Sequence, residues 1–86
     1  REAGEGRADV MLIPRKPDRP GIILEFKRAP SKADQERLQQ TAQAALRQIK
    51  DKNYLAEFSD SQCSFVLAVG VAFAGKSLAA AHEQIA

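Results

Sequence analysis

Gly21-Ile22-Ile23-Leu24-Glu25-Phe26-Lys27 is the stretch on which the reading of this chain turns. Its first four residues are apolar and partly β-branched, so Gly21 to Phe26 reads as a strand, with charge gathering at its end. Side chains alternate between the two faces of a strand, which puts Glu25 and Lys27 on one face and Leu24 and Phe26 on the other. Upstream, Ala8 to Ile13 reads as a first strand, with Val10, Leu12 and Ile13 supplying bulk. Arg15 to Pro20 between them contains two prolines and suits a turn rather than a central strand. The two strands predict an antiparallel hairpin with a loose, charged tip.

The hairpin bears directly on chemistry. Directly opposed residues of an antiparallel pair share a face, and their numbers have a constant sum. Asp9 opposite Glu25 gives 34, and Asp9 opposite Lys27 gives 36. Any even sum near these values gathers all three side chains, whereas an odd register or a bulge separates them. Two carboxylates brought together repel, and a divalent cation is the natural compensation. Asp9 and Glu25 would offer hard oxygen ligands, with the backbone carbonyl of Phe26 close by. Mg²⁺ held in this way keeps waters, one of which can serve as a nucleophile. Lys27 would add positive charge near phosphate oxygens. The plainer alternative is a solvated ion pair of Glu25 with Lys27 and an unrelated Asp9.

Downstream, Pro30 stops the strand and Ser31 offers a helix N-cap, with Asp34 three residues on. From there to about Lys50 the composition is helical, and Leu38, Ala42, Ala45, Leu46 and Ile49 mark one buried stripe. Asn53 breaks the pattern, and Tyr54 to Phe58 predicts one further turn. Cys63 to Phe73 is apolar on both faces and reads as a strand central in its sheet. Gly75-Lys76 is a turn. The tail Ser77–Ala86 is expected to be a helix capped by Ser77, with an edge strand as the alternative. The order β-β-α-β plus tail predicts an α/β (α+β) domain, a helix on a small mixed sheet.

Composition narrows the classes. At 86 residues the chain is expected to form one domain, 1–86. With 44% hydrophobic and 28% charged residues it can fold a core, which argues against a wholly disordered tail. A single cysteine, Cys63, and a single histidine, His82, rule out a disulfide framework and a Cys/His metal cluster. The apolar run Phe65–Ala74 is too short for a membrane helix, which needs about 20 residues. No signal-peptide pattern opens the chain, so a cytoplasmic setting is expected. The net charge of +2 leaves a polyanionic partner open without arguing for one. The basic residues Lys16, Arg19, Arg28, Lys32, Arg37, Arg47, Lys50 and Lys52 could track a nucleic-acid backbone, or simply form solvated faces.

The string Gly-Arg-Ala-Asp-Val-Met-Leu-Ile-Pro, a Pro-rich turn, Pro-Gly-Ile-Ile-Leu-Glu-Phe-Lys, Ala-Leu-Arg-Gln-Ile-Lys-Asp-Lys-Asn-Tyr and Val-Gly-Val-Ala-Phe-Ala-Gly-Lys resembles the PD-(D/E)XK nuclease superfamily. More narrowly, it resembles the nuclease-like domain that lies C-terminal to an AAA-ATPase-like domain in bacterial proteins. The resemblance implies a restriction-endonuclease-like core and a Mg²⁺- or Mn²⁺-dependent nuclease, acting on DNA more readily than RNA. It implies that Asp9 is the motif aspartate, Glu25 the second acidic ligand and Lys27 the motif lysine. Glu2 matches a further acidic position, and Gln48 and Tyr54 match the helix signature for substrate binding, with a Gln-x5-Tyr spacing in place of Gln-x-x-x-Tyr. Arg7 would reach a phosphate or Asp9. The helix and strand that open the superfamily core are not found ahead of Asp9. The chain is therefore expected to be a fragment of a longer protein and to self-associate as a dimer or higher homo-oligomer. A non-catalytic module for binding or dimerisation is the rival expectation, and a small structural domain with coincidental charges the third.

Overall fold

Val66–Ala74 carries no charged side chain and alternates buried with half-buried positions along its whole length, the pattern of a strand flanked by strands on both edges. That is its place in the computed structural model of the chain, which describes residues 9–52, 54–58 and 63–86. The described strands are β1 (Val10–Leu12), β2 (Gly21–Arg28), β3 (Val66–Ala74) and β4 (Ser77–Gln84). They form one sheet in the order β1-β2-β3-β4. β2 and β3 are parallel, with Glu25 paired to Gly70 and Lys27 to Ala72. Both outer pairs are antiparallel. A parallel pair needs a crossover. Helix α1 (Gln35–Lys52) and a 3₁₀ turn (Tyr54–Phe58) supply it.

Helix α1 covers one face of the sheet. Leu38, Ala42, Ala45, Leu46 and Ile49, the stripe expected from spacing, are buried against Ile23, Val66, Ala68, Ala72, Ala79 and Ala81. The facing strand positions are small along β3 and β4, so the helix can sit close. At Gly70 a Cβ would stand 2.4 Å from the Ala42 carbonyl oxygen and 2.5 Å from the Leu46 nitrogen, so only glycine fits under this helix. On the opposite face Val10, Leu12, Phe26 and Leu78 are exposed, Leu78 at 64%. Among the described residues no helix is long and apolar enough to cross a membrane.

Several boundaries differ from expectation. The tail is a strand, not a helix: β4 pairs antiparallel with β3 along its full length, from Ala74–Ser77 to Leu67–Gln84. Gly75, with φ of 59°, opens the two-residue turn between them, a conformation glycine adopts without strain. The helix is capped by Asp34 rather than Ser31, its Oδ1 accepting from the Arg37 N–H at 2.9 Å. Ser31 falls in the turn closed by the Ala33 N–H donating to the Pro30 carbonyl. β2 continues through Lys27 and Arg28, because β3 runs beside it to Phe73. β3 starts at Val66, not Cys63, and β1 is confined to Val10–Leu12 among the described residues.

Gly70→Val should place two extra methyl groups plus a Cβ against helix backbone that cannot yield. Overpacking of this kind costs about 1–3 kcal/mol or more, so thermal unfolding should fall by several degrees. A melting temperature equal to that of the parent chain would mean that α1 does not lie on Gly70.

Candidate active site

The register of the hairpin answers the question the sequence posed. Val10 pairs with Leu24, Met11 with Ile23 and Leu12 with Ile22, a sum of 34 throughout. The ladder stops one residue short of Asp9, which forms a bend at the end of the hairpin beside Glu25 and Phe26. Asp9 lies just before β1, and its Oδ2 accepts a hydrogen bond from the Phe26 N–H at 2.8 Å. This side chain takes over the pairing of β2 beyond the first residue of β1. The N–H and C=O of one strand residue point to the same side. The Phe26 carbonyl therefore opens towards the edge that Asp9 occupies, while the Phe26 ring projects from the opposite, uncovered face.

Glu25 is 2% exposed, the one charged side chain buried in the described core. Burying a carboxylate is costly without partners that replace water. One partner is Gln48 on α1, whose Nε2 donates to Glu25 Oε2 at 2.8 Å. The helix delivers this amide because Ala42 and Leu46 rest on Gly70, which is the β3 neighbour of Glu25. Lys27, two residues on and on the same face, is half-buried. Among the described residues no ion pair engages its ammonium, so the plainer alternative of a Glu25–Lys27 surface pair does not form.

The residues named from sequence thus fall into three groups. Glu25 and Lys27 share the covered face of β2, Gln48 meets Glu25 from the helix above, and Asp9 stands at the edge of β2 on the Phe26 main chain. Tyr54 is a core residue at 4% exposure, packed in the apolar cluster beyond the end of α1. Glu2 and Arg7 lie outside the described residues. Gly70 is the residue that sequence reading passed over. Its signal was there, since a glycine inside an otherwise bulky apolar strand marks a close backbone approach.

Chemically, Asp9, Glu25 and the Phe26 carbonyl are hard oxygen donors, the class that Mg²⁺ and Mn²⁺ prefer. Among the described residues no three Asp, Glu, His or Cys side chains converge. Two carboxylates with water completing the shell is nevertheless an ordinary arrangement for Mg²⁺, which dehydrates reluctantly. The donor set therefore fits such an ion.

Gln48→Leu should remove a donor from a buried carboxylate and cost about 1–3 kcal/mol in a denaturant titration. Gln48→Glu should cost more at neutral pH, because two facing carboxylates repel. That repulsion raises the carboxyl pKa in the folded state, so the excess penalty is present at neutral pH and fades on acidification towards about pH 4. An excess loss independent of pH would show that position 48 does not face Glu25.

Searches among curated proteins and among solved structures each returned no match. A family model does match, over residues 1–83, nearly the whole chain. It describes a superfamily of nucleases that typically use divalent metals, and the mixed four-stranded sheet with its helix agrees with an α/β, restriction-endonuclease-like fold. The chain belongs to the PD-(D/E)XK nuclease superfamily.

Proposed function

We propose that this chain is a metal-dependent nuclease that hydrolyses phosphodiester bonds of DNA, with Asp9, Glu25 and Lys27 as its catalytic residues. The observation that carries the reading is the even hairpin register, with a buried glutamate one residue beyond its last pair. An acid placed there by chance would be expected at the surface, where solvation costs nothing. Asp9, Glu25 and the Phe26 carbonyl would hold Mg²⁺ or Mn²⁺. Such an ion, when bound, supplies Lewis-acid stabilisation of the phosphoryl oxygens and lowers the pKa of a water.

The protein groups each have a task in this scheme. The Phe26 N–H fixes one oxygen of Asp9, and Gln48 fixes one oxygen of Glu25, so neither carboxylate must reorganise during the reaction. Lys27 carries a positive charge to the side of the sheet where negative charge builds on phosphate. Helix α1 keeps bulk water from the inner side of Glu25, which strengthens every electrostatic interaction there.

Cleavage of supercoiled and single-stranded DNA is expected with Mg²⁺ or Mn²⁺ and not with EDTA. Asp9→Ala and Lys27→Ala should each lower the rate by about 100-fold or more. A second readout does not depend on turnover. Mg²⁺ should raise the melting temperature of the parent chain, by linkage of binding to folding, and leave Glu25→Gln unmoved. Cleavage that persists in EDTA or in Asp9→Ala would refute the proposal. Partner binding without cleavage, unaffected by Asp9→Ala, would favour a non-catalytic nuclease-fold module.

A further inference from the structure

The two flanks of α1 are unlike, and contacts identify each. Gln39 Nε2 donates to the Ala80 carbonyl, and Lys50 Nζ lies 3.0 Å from Glu83 Oε1, so one flank overhangs β4. Gln48 bonds Glu25, so the other overhangs β2 and the candidate active site. Counting from Gln48, Thr41 and Ala44 stand at i−7 and i−4, Arg37 at i−11 and Lys52 at i+4. A helical repeat of 3.6 residues keeps all of these on the β2 flank. Glu36 and Asp51, the acids of α1, turn towards its solvent side.

Charge separates the flanks further. The basic residue over β4, Lys50, is neutralised by Glu83. Arg37 and Lys52 are both exposed, and among the described residues no ion pair engages either side chain. They stand about 22 Å apart along the helix, at about 1.5 Å per residue, with Gln48 and its glutamate between them. Successive phosphates of one DNA strand advance about 3.4 Å along the duplex axis, so the row spans some six phosphate steps.

We propose that the β2 flank of α1, through Arg37 and Lys52, is a phosphate-binding rail that holds a nucleic-acid backbone on both sides of the bond presented to Asp9 and Glu25. The inference rests on the nuclease reading and adds the path of the substrate. The rail recognises phosphate rather than base edges, so it grips the strand without reading its sequence. Its polarity places Lys52 close to the scissile bond, about one helical turn beyond Gln48, and Arg37 about three turns away on the other side.

The test is fluorescence anisotropy with a short fluorescein-labelled duplex, in DNA and RNA forms, in EDTA so that no chemistry occurs. The slope of log affinity against log salt is compared among the parent chain, Arg37→Ala, Lys52→Ala and the double variant. Arg47→Ala, on the solvent side, and Lys50→Ala, on the β4 flank, are the controls. For the DNA duplex each rail variant should reduce the slope by about 0.9 and the double variant by about twice that, with both controls unchanged. An equal reduction in either control, an unchanged slope in the double variant, or no binding by the parent chain overturns the rail. Failure to cleave, with these slopes as expected, would instead count against the nuclease reading alone. The DNA and RNA arms show which backbone the rail accepts.

Discussion

Helix α1 rests on Gly70 with no room for a side chain between them, and the candidate site depends on that contact. Gly70 is paired with Glu25 across the parallel β2–β3 ladder. A helix lying on Gly70 must therefore pass directly beside Glu25, seal its inner side from water and present Gln48 to its carboxylate. The small residues Ala68, Ala72, Ala79 and Ala81 on the same face allow the approach to extend over β3 and β4. A bulkier strand would lift the helix, withdraw the Gln48 amide and leave the glutamate without that support.

The second constraint is parity. A β-hairpin has no intermediate register, so Asp9 either shares the face of Glu25 and Lys27 or points away from it. The observed sum of 34 is even, the parity that keeps Glu25 and Lys27 on the face of Met11 and brings Asp9 to the adjoining edge. Asp9 then does something a pairing diagram does not show. It stands just before β1 begins and bonds the main chain of Phe26, so the ladder finishes on a carboxylate instead of a backbone group. The two acids are held by different means, Asp9 by the sheet edge and Glu25 by the helix. The covered face thus passes from apolar core at Ile23 to a buried carboxylate at Glu25 on a single strand.

Much of this was legible beforehand because it follows from short-range periodicity. Alternation in Gly21–Lys27, two-sided apolarity in β3 and the stripe from Leu38 to Ile49 specify their elements almost unaided. The tail was misread because Ala79, Ala80 and Ala81 favour a helix in isolation, while the decisive influence is the open edge of β3 delivered by the Gly75 turn. Tertiary pairing outweighs propensities that differ by only tenths of a kcal/mol per residue. The cap moved from Ser31 to Asp34 because Pro30 closes a turn that uses up Ser31 first. Gln48 and Tyr54 seemed a pair in sequence. The helix end separates them, giving Gln48 to the carboxylate and Tyr54 to the core.

The central claim is that Asp9 and Glu25 form one site for a hard cation. It is tested most directly by titrating Mn²⁺ into isotope-labelled protein and mapping paramagnetic broadening of the backbone amide resonances. The account predicts that Val10, Glu25 and Phe26 broaden first, that Gln48 follows, and that excess Mg²⁺ restores the signals. Broadening centred instead on Glu83 or on Asp34 and Glu36, or none at all, would contradict it.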